Sequence, residues 1–232
     1  MNSNIYVLVR PKEDWTRNKR AVMVFSNNAH LLHTFPVKAV GKSDQQLELS
    51  TWEKWLTEGF VPKSREHVSD VKGEGRLTVS KTKVLLSRET VVDIYEHDGR
   101  YVRSFGERTL KNVTDINAVH DGLVVVMDKG DSSVRVFTED GEQQFKFSIN
   151  TEEQEYYRVT CHPAGEHVVF AGYQRGKDRM CLAIYSKDDG VFERTVKVDE
   201  RIRVISGVAV SVDGRIAVTF TDGNGSRKVI VL

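Results

Sequence analysis

Short runs of β-branched and aromatic residues, separated by polar turns, repeat along most of the chain. Residues 113–147 contain four such runs: Val113–Val119, Leu123–Met127, Val134–Phe137 and Gln144–Phe147. Each run is too short for a helix, and the Asp-Gly pairs at 121–122 and 140–141 supply the positive backbone angle that a tight hairpin needs. The pattern predicts a four-stranded antiparallel meander, which needs further copies of itself as neighbours to bury both faces.

The pattern of the third run occurs five times in the chain, each time as aliphatic, variable, aliphatic, then aromatic or Leu. The copies are Val22–Phe25, Val92–Tyr95, Val134–Phe137, Leu182–Tyr185 and Val229–Leu232, and their last positions lie 70, 42, 48 and 47 residues apart. Asp-Gly turns follow three of the copies, at 98–99, 140–141 and 189–190. Periods in the forties with four strands each predict the blades of an all-β propeller rather than a solenoid.

The predicted blades number five, and the two at the ends are incomplete. The first has strands at Ile5–Val9, Ala21–Phe25 and Leu31–Phe35 but lacks its initial strand. The fourth closes with Phe192–Val196, and the fifth begins at Gly207–Val210 and lacks its final strand. Either the two ends pair to share one mixed blade, or the chain is an incomplete part of a six-bladed ring.

One irregular insertion interrupts the expected single domain, which spans residues 1–232. It covers residues 36–75, and within it Ser50-Thr-Trp-Glu53 fits a capping box that opens a short helix. The 232 residues, 39% of them hydrophobic, can fill one all-β domain. The formal net charge of +1 indicates no particular partner.

The sequence also predicts the cellular location of the protein. It contains no apolar run long enough for a signal peptide or a membrane span, so we expect a cytoplasmic protein without a membrane partner.

The two cysteines are predicted to be free thiols. Cys161 and Cys181 fall on the first and third strands of one blade, with a strand between them. Because that separation exceeds disulfide reach, both are expected to be core thiols.

Several segments resemble NHL repeats. They are Asn112–Val119, Asp121–Asp128, Ser133–Gly141 and Val91–Gly106, and the similarity extends over residues 76–232, with a weaker echo in 5–35. Among such proteins the chain is most similar to the NHL region of tripartite-motif (TRIM) proteins. That resemblance implies a six-bladed propeller that binds proteins or RNA, as the substrate-recognition part of a ubiquitin-ligase system.

The chain departs from the TRIM pattern in two respects. Five units are recognisable rather than six, and there is no RING or B-box, because two isolated cysteines cannot build the paired zinc sites of those modules. Any ubiquitin-ligase activity would therefore lie in a missing N-terminal module or in a partner chain.

The loops from second to third strands predict a positively charged rim. In a meander they share one face with the connectors between blades, and the turns from third to fourth strands, which are mostly acidic, share the opposite face. The candidate binding residues are Arg10, Lys12, Trp15, Arg17, Lys19, Arg20, Arg88, Lys129, Tyr173, Arg175, Lys177, Arg179, Arg227 and Lys228. Such cations attract phosphate or acidic peptide, and Trp15 and Tyr173 could stack on a base or side chain. The alternative is that these are ordinary solvated loops, and Glu152, Glu153 and Glu155 reduce the positive charge on that face.

No constellation of catalytic residues emerges. The seven histidines do not recur at one repeat position, and there is no nucleophile elbow or phosphate loop. We therefore expect no catalytic residue, metal or cofactor, and a non-catalytic platform that binds a protein or RNA on the positive rim. The alternative is a metal-dependent propeller hydrolase or lyase.

Overall fold

The computed structural model describes residues 4–9, 20–37, 75–119 and 121–232. These residues form β-strands and turns without any helix, so they include none that could cross a membrane. The chain divides into two compact units, Met1–Glu74 and Gly75–Leu232. The helix predicted at Ser50 and nearly all of the 36–75 insertion fall outside the described residues. The single domain over 1–232 stays a prediction.

The described part of the first unit is one antiparallel sheet of three strands. Their order is β1 (Ile5–Val9), β2 (Ala21–Phe25) and β3 (Leu31–Pro36). Val22 and Val24 of β2 are fully buried. Residues two positions apart on a strand point to the same face, so this face of β2 is the interior one. The three strands agree with those predicted for the first blade.

The second unit begins with two four-stranded antiparallel meanders. The first contains β4 (Leu77–Val79), β5 (Val84–Ser87), β6 (Val92–Tyr95) and β7 (Tyr101–Phe105). The second contains β8 (Val113–Ala118), β9 (Leu123–Asp128), β10 (Ser133–Thr138) and β11 (Gln143–Ser148). Both confirm the predicted four-stranded meander: β6 coincides with the repeated run Val92–Tyr95, and the ends of β8 to β11 differ from the predicted ends by about one residue.

The predicted fourth and fifth blades form one six-stranded sheet. Its strands are β12 (Gln154–Cys161), β13 (His167–Gln174), β14 (Arg179–Ser186), β15 (Phe192–Val210), β16 (Ile216–Asp222) and β17 (Arg227–Val231), in that order. Strand β15 pairs with β14 through residues 192–201 and with β16 through 202–210. The strand continues from one pairing to the next without a turn, and residues 192–206 contain neither Gly nor Pro. The prediction of five separate blades is therefore wrong, and the described residues form four sheets.

Hydrogen bonds join the first strands of successive sheets within the second unit. The Ala118 amide of β8 donates to the Thr78 hydroxyl of β4 (2.8 Å). In turn, the Val159 amide of β12 donates to the Asp115 carboxylate of β8 (2.8 Å). The Arg158 guanidinium donates to the Ser206 carbonyl in the second half of β15 (3.0 Å). That half of β15 thus lies beside β12 as a first strand would, although no turn separates it from the preceding strand.

Aromatic side chains and turn glycines interlock between neighbouring sheets. Phe105, which ends β7, packs on Phe137 of β10, and Phe147 of β11 packs on Tyr185 of β14, with ring centroids 4.7 and 5.7 Å apart. The Asp-Gly turns place Gly141 against Phe105 and Gly190 against Phe147, both glycines with positive φ. The aromatic residue of the repeated third-strand pattern, Phe137 in β10 and Tyr185 in β14, therefore packs in both cases on an aromatic residue of the preceding sheet.

Both cysteines are buried free thiols on strands of the six-stranded sheet. Cys161 ends β12, Cys181 lies in β14, and β13 separates them. Burial raises the pKa of Cys161 to about 12 and that of Cys181 to about 11, so neither ionises appreciably at neutral pH. Their predicted role as core residues is confirmed.

Candidate functional site: the cationic rim

The cationic rim of the second unit consists of the loops β5–β6, β9–β10, β13–β14 and β16–β17. Backbone hydrogen bonds tie these loops to the connectors between sheets. The Lys129 amide donates to the Asn112 carbonyl (2.9 Å), and the Arg175 amide donates to the Glu153 carbonyl (2.8 Å). Second-to-third-strand loops and connectors therefore lie on a common side, as the meander pattern predicts.

The predicted binding residues divide into three groups. Outside the described residues are Arg10, Lys12, Trp15, Arg17 and Lys19. Arg20 immediately precedes β2 in the first unit. The remaining eight lie at or beside the loops of the cationic rim: Arg88, Lys129, Tyr173, Arg175, Lys177, Arg179, Arg227 and Lys228.

Arg88 forms an ion pair with a buried carboxylate. Its Nη2 and Nε lie 2.7 Å from Oδ1 and Oδ2 of Asp93, which is fully buried on β6. The Ser104 hydroxyl of β7 also donates to Asp93. This guanidinium is engaged within its own sheet, so it adds little free charge to the rim.

Three other cations of the rim are paired with carboxylates. Lys129 pairs with Glu155, and Arg179 pairs with Asp199 at 2.7 Å. Lys228 pairs with Asp222 at 3.0 Å. The hydrogen bond from Lys129 is the main cause that lowers the pKa of Glu155, and the bond to Asp222 is the main cause that raises the pKa of Lys228. These shifts favour the charged forms of Glu155 and Lys228.

An aromatic–cation cluster lies beside the β13–β14 loop. We define it as Lys129, Glu155, Tyr157 and Tyr173. The two tyrosine rings stack with centroids 5.1 Å apart, their hydroxyls are 2.7 Å apart, and Lys129 Nζ lies 4.9 Å from the Tyr157 centroid. Burial, followed by the hydrogen bonds to Tyr173 and Glu155, raises the pKa of Tyr157, which therefore stays neutral.

The sequence did not reveal Tyr157 as part of this cluster. Strand β12 has a bulge between Tyr156 and Arg158, so its regular pairing with β13 skips Tyr157. A bulge re-aims a side chain in a way that simple alternation does not show. Only the Tyr156-Tyr157 doublet in the sequence indicated an irregular position there.

Arg175, Lys177 and Arg227 are the rim cations that remain exposed and unpaired within the described part of the chain. Two of them, Arg175 and Lys177, lie on the β13–β14 loop immediately after Tyr173. Two exposed cations without an ion pair therefore lie next to the aromatic–cation cluster, where the charge of Arg175 also helps to lower the pKa of Glu155.

The acidic turns on the opposite side connect neighbouring sheets. Glu139 in the β10–β11 turn accepts hydrogen bonds from Ser80 and Thr82 of the β4–β5 turn. Asp121 in the β8–β9 turn pairs with Lys187 of the β14–β15 turn at 2.6 Å. Part of the predicted acidic rim is thus engaged in contacts between sheets.

Asp131, in the β9–β10 loop, is strongly stabilised as a carboxylate. Burial acts to raise its pKa, but hydrogen bonds from Lys146 and Ser133 and the charge of Arg135 outweigh burial and lower the pKa to about 2. A depressed folded-state pKa stabilises the protein above the unfolded pKa, which is about 4. That contribution is lost as the pH falls from about 4 to about 2.

We expect Asp131→Asn to lower the free energy of unfolding at pH 7 by roughly 1–2 kcal/mol, because it removes the charge that Lys146 and Arg135 surround. The variant should also show a smaller decrease in that free energy between pH 4 and pH 2. Urea unfolding at several pH values measures both effects. The exposed Asp140→Asn is the control, and equal acid dependence in wild type and Asp131→Asn would contradict the prediction.

The described residues contain no group of three or more His, Cys, Asp or Glu side chains placed to hold a metal ion.

No known protein family and no curated protein matches the chain. Solved structures do match it. Hydrazine synthase from Kuenenia stuttgartiensis has a TM-score of 0.58 and 12% identity over 86% of this chain. A β-propeller domain from Myceliophteria thermophila has a TM-score of 0.55 and 13% identity over 92%.

The fold is a β-propeller. Streptogramin B lyase is also similar, with a TM-score of 0.50 and 13% identity over 71% of this chain. This chain spans 49% of the hydrazine synthase chain, 66% of the Myceliophteria domain and 57% of the lyase. At these identities the likeness concerns the fold alone, and the NHL and TRIM resemblance remains an interpretation of the sequence.

Proposed function

We propose that this β-propeller is a non-catalytic interaction platform that binds an acidic segment of a protein partner at its cationic rim. The observation that carries the proposal is the pair of exposed, unpaired cations Arg175 and Lys177 beside the stacked Tyr157–Tyr173 pair. Propellers commonly mediate protein interactions through such loops, because loops vary while the scaffold stays fixed.

The charge distribution favours a protein over RNA as the partner. Binding to nucleic acid draws on many phosphate contacts, yet Arg88, Lys129, Arg179 and Lys228 already have carboxylate partners. Tyr173 stacks on Tyr157, which leaves less aromatic surface for a base. Two neighbouring cations next to tyrosines instead suit a short acidic peptide.

A narrower form of the proposal comes from the NHL resemblance. There the platform would select substrates for a ubiquitin ligase whose catalytic module lies on other residues or another chain. Recovery of a ubiquitin ligase together with the bound partner would support this form. The hydrolase or lyase alternative gains no support from the described residues, which show no metal-binding group.

We expect Arg175→Glu/Lys177→Glu to reduce partner capture from cell extract at least tenfold, because it reverses the two unpaired charges. Arg179 is left unchanged, since its ion pair with Asp199 belongs to the sheet. The control is Arg103→Glu/Lys81→Glu, an equal charge change at an exposed position of β7 and an exposed position of the β4–β5 turn, outside the rim loops and the connectors. Capture is measured by quantitative mass spectrometry with and without ribonuclease, at two salt concentrations.

Ribonuclease digestion and the change of salt concentration distinguish a protein ligand from an RNA ligand. Capture that survives ribonuclease, falls in the rim variant and weakens with salt supports protein binding at the rim. Capture abolished by ribonuclease would instead make RNA the ligand. Equal capture by both variants would contradict the proposed site.

A further inference from the structure

Two arginines lie directly opposite each other on neighbouring strands of the six-stranded sheet. In the pairing of β14 with β15, Arg179 has Arg201 as its cross-strand partner, and both side chains are exposed. Directly opposite residues have Cβ atoms about 5 Å apart, and like charges in such a pair destabilise a sheet. The arrangement therefore favours an anion bound beside the two arginines.

Carboxylates of the protein supply only part of that negative charge. Asp199, in the irregular part of β15 just before Arg201, pairs with Arg179 at 2.7 Å. The next residue, Glu200, acts on Lys228, whose pKa it helps to raise. Arg201 has no ion pair within the described residues. One guanidinium of the pair is thus left without a carboxylate.

The arginine pair borders the β13–β14 loop of the cationic rim. This loop spans residues 175–178, and Arg179 follows it directly. The Ile202 amide donates to the Asp178 carbonyl (2.8 Å), so a backbone hydrogen bond ties β15 to the loop beside Arg201. The loop contributes two unpaired cations and one carboxylate, that of Asp178, so the surroundings of the arginine pair are also positive.

The two guanidiniums indicate which anion fits them. A phosphate monoester has a charge between about −1.5 and −2 at neutral pH and three acceptor oxygens, so it can accept forked hydrogen bonds from two arginines. A carboxylate, or a phosphodiester of RNA, has a single negative charge. Because both side chains of the Arg179–Asp199 pair are exposed, that pair adds little stability and can yield to a stronger acceptor.

We propose that the Arg179–Arg201 pair binds a phosphorylated serine or threonine in the acidic segment that docks at the cationic rim. The inference rests on the proposed function, because it names one group within the same segment. Acidic residues beside the phosphate would meet Arg175 and Lys177. Arg201 lies within a strand, so counting the cations of the loops does not find it.

The test is a fluorescence anisotropy titration of the full chain with three fluorescein-labelled peptides. One is Gly-Ala-Glu-Ala-Ser-Ala-Glu-Ala-Gly, and the other two have glutamate or phosphoserine in place of the serine. We expect the phosphoserine peptide to bind about tenfold more tightly than the glutamate peptide, because it has more charge and one more acceptor oxygen. The serine peptide should bind most weakly.

Variants of Arg201 locate the phosphate. Arg201→Gln should remove the preference for phosphoserine and change binding of the glutamate peptide by less than about twofold, whereas Arg201→Lys, which lacks the fork, should retain part of the preference. Arg194→Gln, at an exposed arginine in the first half of β15, is the matched control and should bind like wild type. Since Arg201→Gln removes a like charge, its unfolding midpoint should not fall.

Several results would overturn the inference. They are equal binding of the phosphoserine and glutamate peptides by wild type, an undiminished preference in Arg201→Gln, or the same loss in Arg194→Gln. Inorganic phosphate that bound as tightly as the phosphoserine peptide would make free phosphate the ligand. Single-stranded RNA that bound more tightly than this peptide, and lost affinity in Arg201→Gln, would make RNA the ligand.

Phosphatase treatment of the cell extract distinguishes this inference from the rim proposal. If both are correct, phosphatase and Arg201→Gln should each reduce partner capture. Capture that resists phosphatase but falls in Arg175→Glu/Lys177→Glu would contradict only the phosphate site. Capture that falls with phosphatase and in Arg201→Gln, but not in Arg175→Glu/Lys177→Glu, would contradict only the docking of the segment on the loop.

Discussion

Replacing Gly190 with alanine is expected to lower the free energy of unfolding by about 2–5 kcal/mol. Two effects add: a residue with a side chain in the left-handed conformation costs about 1–2 kcal/mol, and overpacking costs about 1–3 kcal/mol. Gly190 has φ of 68°, and a Cβ there would lie 2.3 Å from Cγ of the buried Phe147 ring. Gly141→Ala should behave alike, since its Cβ would lie 2.6 Å from Phe105.

Gly214→Ala separates the two effects. Gly214 has φ of 81° in a similar turn, but a Cβ there would meet nothing within 4 Å. This control should show only the backbone cost of about 1–2 kcal/mol. Urea unfolding of the three variants measures the difference, which reports the packing of Phe105 and Phe147 on the turns. Equal losses in all three would show that the glycines serve the turns alone.

The Asp-Gly turns illustrate how far the sequence predicts this fold. Turn chemistry and alternation locate the hairpins from β4 to β11 to within about one residue, because both are local properties. That Gly141 and Gly190 also accommodate an aromatic ring of the preceding sheet depends on packing between segments about forty residues apart. No local pattern contains that information.

Strand β15 shows where local reasoning failed. The repeat suggested a break between Val196 and Gly207, but Val198, Ile202 and Ile205 are buried and support one continuous strand. A repeat period gives the average position of a connector but does not show whether the chain turns there, and in this chain the β4–β5 and β5–β6 turns form without Gly or Pro. The absence of both from residues 192–206 is consistent with a continuous strand but does not by itself predict one.

The candidate site was predicted by position but not by electrostatics. Connectivity places the loops on one side, which requires only the order of the strands. Which cations are free depends on Asp93, Glu155, Asp199 and Asp222, each brought close by strand pairing or by packing of sheets. Counting charges in loops therefore overstates the positive potential of the rim.

Replacing Arg88 with methionine is expected to lower the free energy of unfolding by about 3–5 kcal/mol. Asp93 is fully buried, and without the guanidinium its carboxylate would remain inside the sheet with only hydroxyl support from Ser104. Methionine retains much of the apolar stem, so the loss reports mainly the charge. Arg175→Met, at an exposed rim cation, is the matched control and should change stability by less than about 0.5 kcal/mol.

The double variant Arg88→Met/Asp93→Val tests the cause of that loss. If an uncompensated buried carboxylate is responsible, removing it as well should recover part of the stability lost in Arg88→Met. Partner capture by folded Arg88→Met should equal that of wild type, whereas Arg175→Met should weaken it. Normal stability with lost capture in Arg88→Met would contradict this assignment and make Arg88 a docking residue. The free energy of unfolding and partner capture together thus distinguish a cation that stabilises the sheet, Arg88, from a cation that binds a partner, Arg175. Both lie on the same rim, and the sequence alone does not distinguish them.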